Sequence, residues 1–216
     1  WSQHCAALSY AGAAIAALHA GALMTLFIWW EATAVTSVFL VLAAGTLTAR
    51  RAAMRSLIFQ VLSGVLLLAG AAFYAANTGS IAFTKMTLGD TASWLIFIAF
   101  GIKAAFPLLN GWLQDAYPEA TVTGTVALAA RAPHPAPSAL SRGFACSVYL
   151  FWVGGAGTAL PVFFAVIEND LRRVLAFSLN NQLGFMVVAV GIGSELALNG
   201  AVAHAFVHII YKALLF

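Results

Sequence analysis

The chain is 216 residues long, 62% hydrophobic and only 8% charged, with a formal net charge of +3. Roughly a quarter of the residues in a soluble globular domain are charged, so the composition excludes that class and specifies an integral membrane protein. The ten lysines and arginines are scattered or stand at segment ends, which excludes the clustered basic face that nucleic-acid binding needs.

A helix crosses the bilayer core with about 20 mostly apolar residues. Eight such segments can be drawn, at 4–21, 22–48, 53–77, 91–111, 121–143, 145–167, 172–193 and 199–216, the last one cut short. Glycine and alanine are frequent in them, as expected where helices pack closely in lipid. The chain opens at Trp1 without a methionine or a signal peptide and stops at Phe216 inside the apolar run "HIIYKALLF". It reads as a fragment of a longer polytopic protein. The fold class expected is an all-α transmembrane bundle. Cys5 and Cys146 lie in apolar stretches without ligand spacing, so both are expected to be free and buried.

In chain order, the second span holds Glu31 at membrane depth, in "LFIWWEATAVTSVFLV". Arg50, Arg51 and Arg55 follow that span, and Arg172 and Arg173 follow the sixth. An even number of spans separates the two basic groups, so both face the same side, the cytoplasm by the positive-inside rule. The loop expected at 112–120, with Asp115 and Glu119, falls on that side, and the 78–90 loop falls on the other. The protein is therefore expected in the cell (inner) membrane as a multi-pass chain. Asp170, Arg172 and Arg173 at a span's cytoplasmic start are explained by helix capping and topology.

Lys103 sits about twelve residues into the fourth span, or roughly 18 Å of helix. A lysine ammonium in hydrocarbon costs at least a few kcal/mol. Pro107, four residues later, takes from the Lys103 carbonyl its usual intrahelical donor. Non-helical backbone at membrane depth is tolerated where it is buried in protein or lines a wet cavity, so a helix break beside Lys103 marks a site. One reading makes Glu31 and Lys103 a buried ion pair that only joins helices. The other makes them a proton site, since such pairs stabilise poorly and intramembrane ionisable groups mark ion or proton routes.

The fifth span contains "RAPHPAPS" (131–138). Pro133, Pro135 and Pro137 each disrupt a helix interior, at about 3 kcal/mol. In the eighth span, His204, His208 and Lys212 recur at spacings of four and share one helical face. The histidine pair has zinc-like spacing, but Ala205 stands where a zinc protease has Glu, and Lys212 repels a cation. No metal is expected. A proton relay suits histidine's titration range; hydrogen bonding to a neighbouring helix is the alternative.

The stretches "FIWWEATAVTSVFLV", "GIKAAFPLLNGWLQDAYPEA", "ENDLRRVLAFSLNNQLGFMVVAVGIG" and "AVAHAFVHIIYKALLF" occur in order, and together they resemble the proton-conducting membrane transporter family. That family contains the antiporter-like membrane subunits of respiratory complex I and the large subunits of Mrp-type cation/proton antiporters. The wording of the third stretch is most similar to the large D-type subunit of the Mrp antiporters. The resemblance implies two inverted five-helix repeats, each with a broken helix bearing an essential lysine. Residues 1–144 then form the first repeat and 145–216 begin the second.

It further implies proton translocation through Glu31 and Lys103, with His204, His208 and Lys212 on a hydrophilic central axis. The family's partners would be other membrane subunits of a hetero-oligomeric antiporter complex, with protons and Na+ as cargo and no cofactor. A nearby carboxylate favours the charged ammonium and its withdrawal favours release, so a Glu31–Lys103 pair of changing separation would gate a proton.

The chain departs from the resemblance at "RAPHPAPS", where the family has a regular helix with a second lysine near His134. Either a local reading-frame slip produced the patch, or His134 is a substitute relay residue on a broken helix. Asn110 stands where complex I relatives often have histidine. The alternative functions are a proton-pumping subunit of an NADH:quinone oxidoreductase, itself without redox centres, and a non-conducting truncated remnant. No GxGxxG, cysteine cluster, phosphate loop or nucleophile elbow is present.

Overall fold

The structure is a computed structural model that describes residues 2–131 and 135–216. Ten helices account for most of it: α1 (Ser2–His19), α2 (Leu23–Leu42), α3 (Leu47–Thr78), α4 (Thr91–Lys103), α5 (Gly111–Glu119), α6 (Val122–Arg131), α7 (Pro135–Phe144), α8 (Val148–Ile167), α9 (Leu171–Ile192) and α10 (Glu195–Leu215). Five of them, α2, α3, α8, α9 and α10, are long and apolar enough to cross a membrane. Six expected spans correspond to single helices. The fourth is helical only to Lys103, and the stretch 112–120, expected as a loop, is instead the helix α5; the fifth is helical over Val122–Arg131 and Pro135–Phe144.

The fourth span ends as a helix at Lys103, and the chain resumes at Gly111. Pro107 cannot donate to the Lys103 carbonyl, and two non-glycine residues beside it, Ala105 (φ 54°) and Leu108 (φ 71°), take left-handed backbone. Such conformations cost of order 1–3 kcal/mol each and persist where the surroundings enforce them. In the fifth span the described helices are α6, to Arg131, and α7, from Pro135. Pro135 and Pro137 are both helical. Pro133 and His134 lie outside the described residues.

Helix α3 runs 32 residues, or about 48 Å, well beyond the hydrocarbon core. The Thr46 hydroxyl accepts from the Ala49 N–H at 3.0 Å and opens the helix early. Arg50, Arg51 and Arg55 therefore ride on its first turns instead of a loop. Together with the ends of α5 and the 168–173 turn they form one polar rim. Arg55 pairs with Asp115 at 2.7 Å and Arg173 with Glu168 at 3.4 Å. The two basic groups expected on one side do meet there. The opposite rim is built from residues 20–22, the 79–90 segment and the turn after α7. Leu23 N–H donates to Ile81 O, Phe83 N–H to Gly21 O and Met86 N–H to Gly143 O.

Two apolar clusters fill the bundle. One, toward the opposite rim, gathers Trp30, Phe83, Phe97, Phe100, Phe106 and Phe144. The other, toward the polar rim, holds Tyr10, Leu40, Val41, Trp112, Leu113 and Tyr117. Helix α8 packs closely on α9 because Gly154, Gly184 and Gly191 offer no side chain, and a Cβ on any of them would strike the partner's backbone. Cys5 and Cys146 are free, as expected, but exposed rather than buried. Apolar sequence context does not separate core from lipid-facing positions, since the surrounding lipid is as apolar as the interior.

Candidate functional site

Lys103 is placed by the geometry of α4. Asp90 caps the helix, its carboxylate accepting from Ser93 N–H at 3.2 Å while the Ser93 hydroxyl accepts from Asp90 N–H at 3.3 Å. The other end unwinds through Ala104 N–H to Phe100 O (2.8 Å), Ala105 N–H to Ile102 O (3.2 Å) and Phe106 N–H to Gly101 O (2.9 Å). The Trp112 indole N–H closes the gap by donating to Ile102 O at 3.0 Å. Lys103, at the last helical position, is only 3% exposed.

Its Nζ donates to Trp30 O at 2.7 Å and to Thr33 Oγ1 at 2.6 Å, and lies 4.5 Å from the centre of the Trp30 ring. Two neutral oxygens and an aromatic face thus compensate a buried ammonium. Helix α2 supplies all three, and its register is fixed from α3: Trp30 Nε1–H donates to Ser63 Oγ at 2.8 Å, and that hydroxyl donates on to Ala99 O of α4 at 2.7 Å.

Glu31 does not complete this cluster. Among the described residues it makes no ion pair with Lys103 within 4.0 Å. Its side chain lies instead against Gly64 of α3, with Oε1 buried and without a hydrogen-bond partner.

Sequence reasoning missed most of the polar lining around Lys103. Tyr10, Ser37, Ser56 and Gln60 surround a cavity of about 10 Å³ that Lys103 and Thr33 also line. That volume is close to the space one water occupies. Gln60 is buried with Oε1 unpartnered. Ser56, Gln60 and Ser63 recur at helical spacing within an otherwise apolar span, and that periodicity was the available signal. Beyond them, at the polar rim, opens a cavity of about 430 Å³ lined by Arg51, Arg55, Gln114, Asp115 and Glu119 among others.

The α10 stripe is real but stands apart. His208 and Lys212 are buried and His204 is half-buried. The two imidazoles stack nearly parallel with centres 6.1 Å apart, and His208 meets the Tyr211 ring edge-on at 5.2 Å. Lys212 Nζ donates to Leu175 O of α9 at 3.3 Å. Lys103 bonds α2 and Lys212 bonds α9, so the structure does not bring the two lysines onto a common partner. No group of three or more metal-ligating side chains occurs among the described residues.

Two α9 residues gain roles that sequence did not reveal. Arg172 donates to Ala120 O (2.8 Å) and Thr125 Oγ1 (2.7 Å), with Tyr117 O at 3.5 Å. It staples α9 to the end of α5 and the start of α6, beyond the topological role expected. Asp170 does cap α9, accepting from Arg172 N–H at 2.8 Å. Asn180, 1% exposed and with neither amide atom partnered, lines a cavity of about 10 Å³ shared with residues 104–107 of the broken helix.

Comparison with known proteins fits this geometry. The family model described as "NADH:quinone oxidoreductase/Mrp antiporter, TM" matches residues 20–216. NADH-quinone oxidoreductase subunit M of Pseudomonas aeruginosa is 29% identical over 223 residues, covering 90% of this chain and 44% of that protein. The D-type subunit of the Na(+)/H(+) antiporter of Alkalihalophilus pseudofirmus is 24% identical over 222 residues, covering 91% and 44%. Among solved structures, the Mrp complex from a Dietzia species contains a chain that superposes with a TM-score of 0.87 at 25% identity, over 95% of this chain and 42% of that one. The chain thus spans less than half the length of these relatives. It is a multi-pass membrane protein, and it belongs to the NADH:quinone oxidoreductase/Mrp antiporter transmembrane family.

Proposed function

We propose that this chain forms the proton-handling part of a membrane subunit in a multisubunit monovalent cation/proton antiporter, with Na+ as the exchanged cation and other membrane subunits as its partners. The observation that carries the reading is Lys103: a buried amine at a helix break, lined by polar side chains on its polar-rim side. A proton arriving through the rim cavity passes the Ser56–Gln60 lining and converts the Lys103 amine to an ammonium, which Trp30 O and Thr33 Oγ1 hold. Release from Lys103 restores the neutral amine, and Glu31 modulates that step through its distance from the ammonium. His204, His208 and Lys212 then serve as a second set of carriers along α10, consistent with histidine's ability to titrate near neutral pH.

The likeness to oxidoreductase subunit M, at 29% identity, supports a second reading, a proton-pumping subunit of an NADH:quinone oxidoreductase. Iron–sulfur absorbance in the purified complex would identify it. The shared proton site is tested by Lys103→Ala in the assembled complex reconstituted into vesicles. The expected outcome is loss of proton flux with assembly intact; unchanged flux would sink the assignment.

A further inference from the structure

Glycines in this bundle mostly admit a neighbouring backbone, as at Gly154, Gly184 and Gly191. Gly64 differs. The three atoms nearest to a Cβ placed there are Oε1, Cδ and Cγ of Glu31, and the carboxyl would overlap it. The space beside Gly64 is therefore filled by one acidic side chain.

The seat is built by neighbours in both helices. Trp30 on α2 is anchored to Ser63 on α3, so the consecutive pair Trp30–Glu31 rests on the consecutive pair Ser63–Gly64. Lys103, meanwhile, is bonded to the carbonyl of Trp30, the residue directly before Glu31. A buried carboxylate oxygen without a partner is costly, and a cation is bonded one residue away along the same helix.

We propose that Gly64 is the docking slot for the Glu31 side chain. With the carboxyl seated there, Lys103 is bonded to neutral oxygens and feels Glu31 only at longer range; with it swung out, a direct ion pair can form. Gly64 is a positioning residue that acts through Glu31, and this role rests on the proton-site reading of Lys103.

The test is a double-mutant cycle in the assembled complex with Gly64→Ala, Glu31→Ala and both together, reading thermal midpoint and, for the single Gly64 variant, proton flux. Alanine expels the carboxyl from the slot. The expected result is a lowered midpoint in Gly64→Ala that vanishes in the Glu31→Ala background, with flux at least fivefold below the parent. An equal drop in both backgrounds, or flux within twofold of the parent, would overturn the proposal. Should Gly64→Ala fail to assemble alone, the double variant assembles; failure of both overturns it as well. The thermal cycle involves no transport, so its outcome is separable from that of Lys103→Ala.

Discussion

The two halves of the bundle on either side of Lys103 are built from opposite materials. Toward the polar rim, Ser37, Ser56, Gln60 and Tyr10 line the way and a cavity of about 430 Å³ opens beyond. Toward the opposite rim, Phe97, Phe100, Phe83 and Phe144 pack ring against ring, with centres 5.4–6.2 Å apart. The same helices supply both halves: α2 gives Leu23 and Leu26 to one and Ser37 to the other, and α3 gives Leu67 and Ala71 to one and Ser56 and Gln60 to the other. Lys103 stands at this seam, with polar side chains on one side and packed rings on the other. The proposed carrier role requires access from the polar side alone, because a continuous polar path through the membrane would leak.

The sealed half should respond most strongly to damage. Phe100 is fully buried and touches the rings of Trp30, Phe83 and Phe144. Phe100→Ala removes those contacts at a cost of about 3–5 kcal/mol, read as a large drop in the thermal midpoint of the complex. It also opens a void next to Lys103 on the side that should stay dry, so passive proton leak rises in vesicles without an imposed cation gradient. A leak no different from the parent would mean that the aromatic cluster is structural filling and that the seal lies elsewhere.

The polar half should respond in the other sense, in rate rather than stability. Gln60→Leu keeps the volume and removes a buried amide whose Oε1 has no partner, so stability changes by less than about 1 kcal/mol. Flux should fall about tenfold, equivalent to about 1.4 kcal/mol in the barrier, because the proposed path from the rim loses a polar group lining the cavity at Lys103. If Gln60→Leu transports normally, the path follows Tyr10 and Ser37 instead.

How much of this contrast was legible beforehand depends on what each residue type signals. Lys103, Glu31 and the α10 stripe stand out because charge is expensive in lipid, and Pro107 announces the break through chemistry local to the chain. Gln60 and Ser56 were readable in principle from their spacing but are ordinary in composition. Gly64 and Asn180 were not readable: one matters through a side chain on another helix, the other through a cavity formed by a distant segment. The relation of Glu31 to Lys103 was equally hidden, since proximity in the fold did not decide which way the carboxylate points. The exposed cysteines show the same limit, because membrane sequences are apolar on both their inner and outer faces.

The smallest effect belongs to the far end of α4, where the sealed half begins. Asp90 is exposed, and the Ser93 hydroxyl and backbone N–H, with Asn77 at 3.5 Å, hold its carboxyl below the usual carboxylate range. A carboxyl depressed in the folded state adds stability that is present above its unfolded value, about 3.9, and is lost as pH falls through the lower folded value. Asn caps helices about as well as Asp, so Asp90→Asn should leave the thermal midpoint at pH 7 within a degree or two of the parent. Because the variant has no carboxyl to protonate, it should lose less stability than the parent between pH 5 and the acid limit of the measurement. A parallel acid decline in both proteins would mean that the Asp90 cap contributes nothing to the acid sensitivity of the fold, and that protonating this carboxyl does not loosen the start of α4.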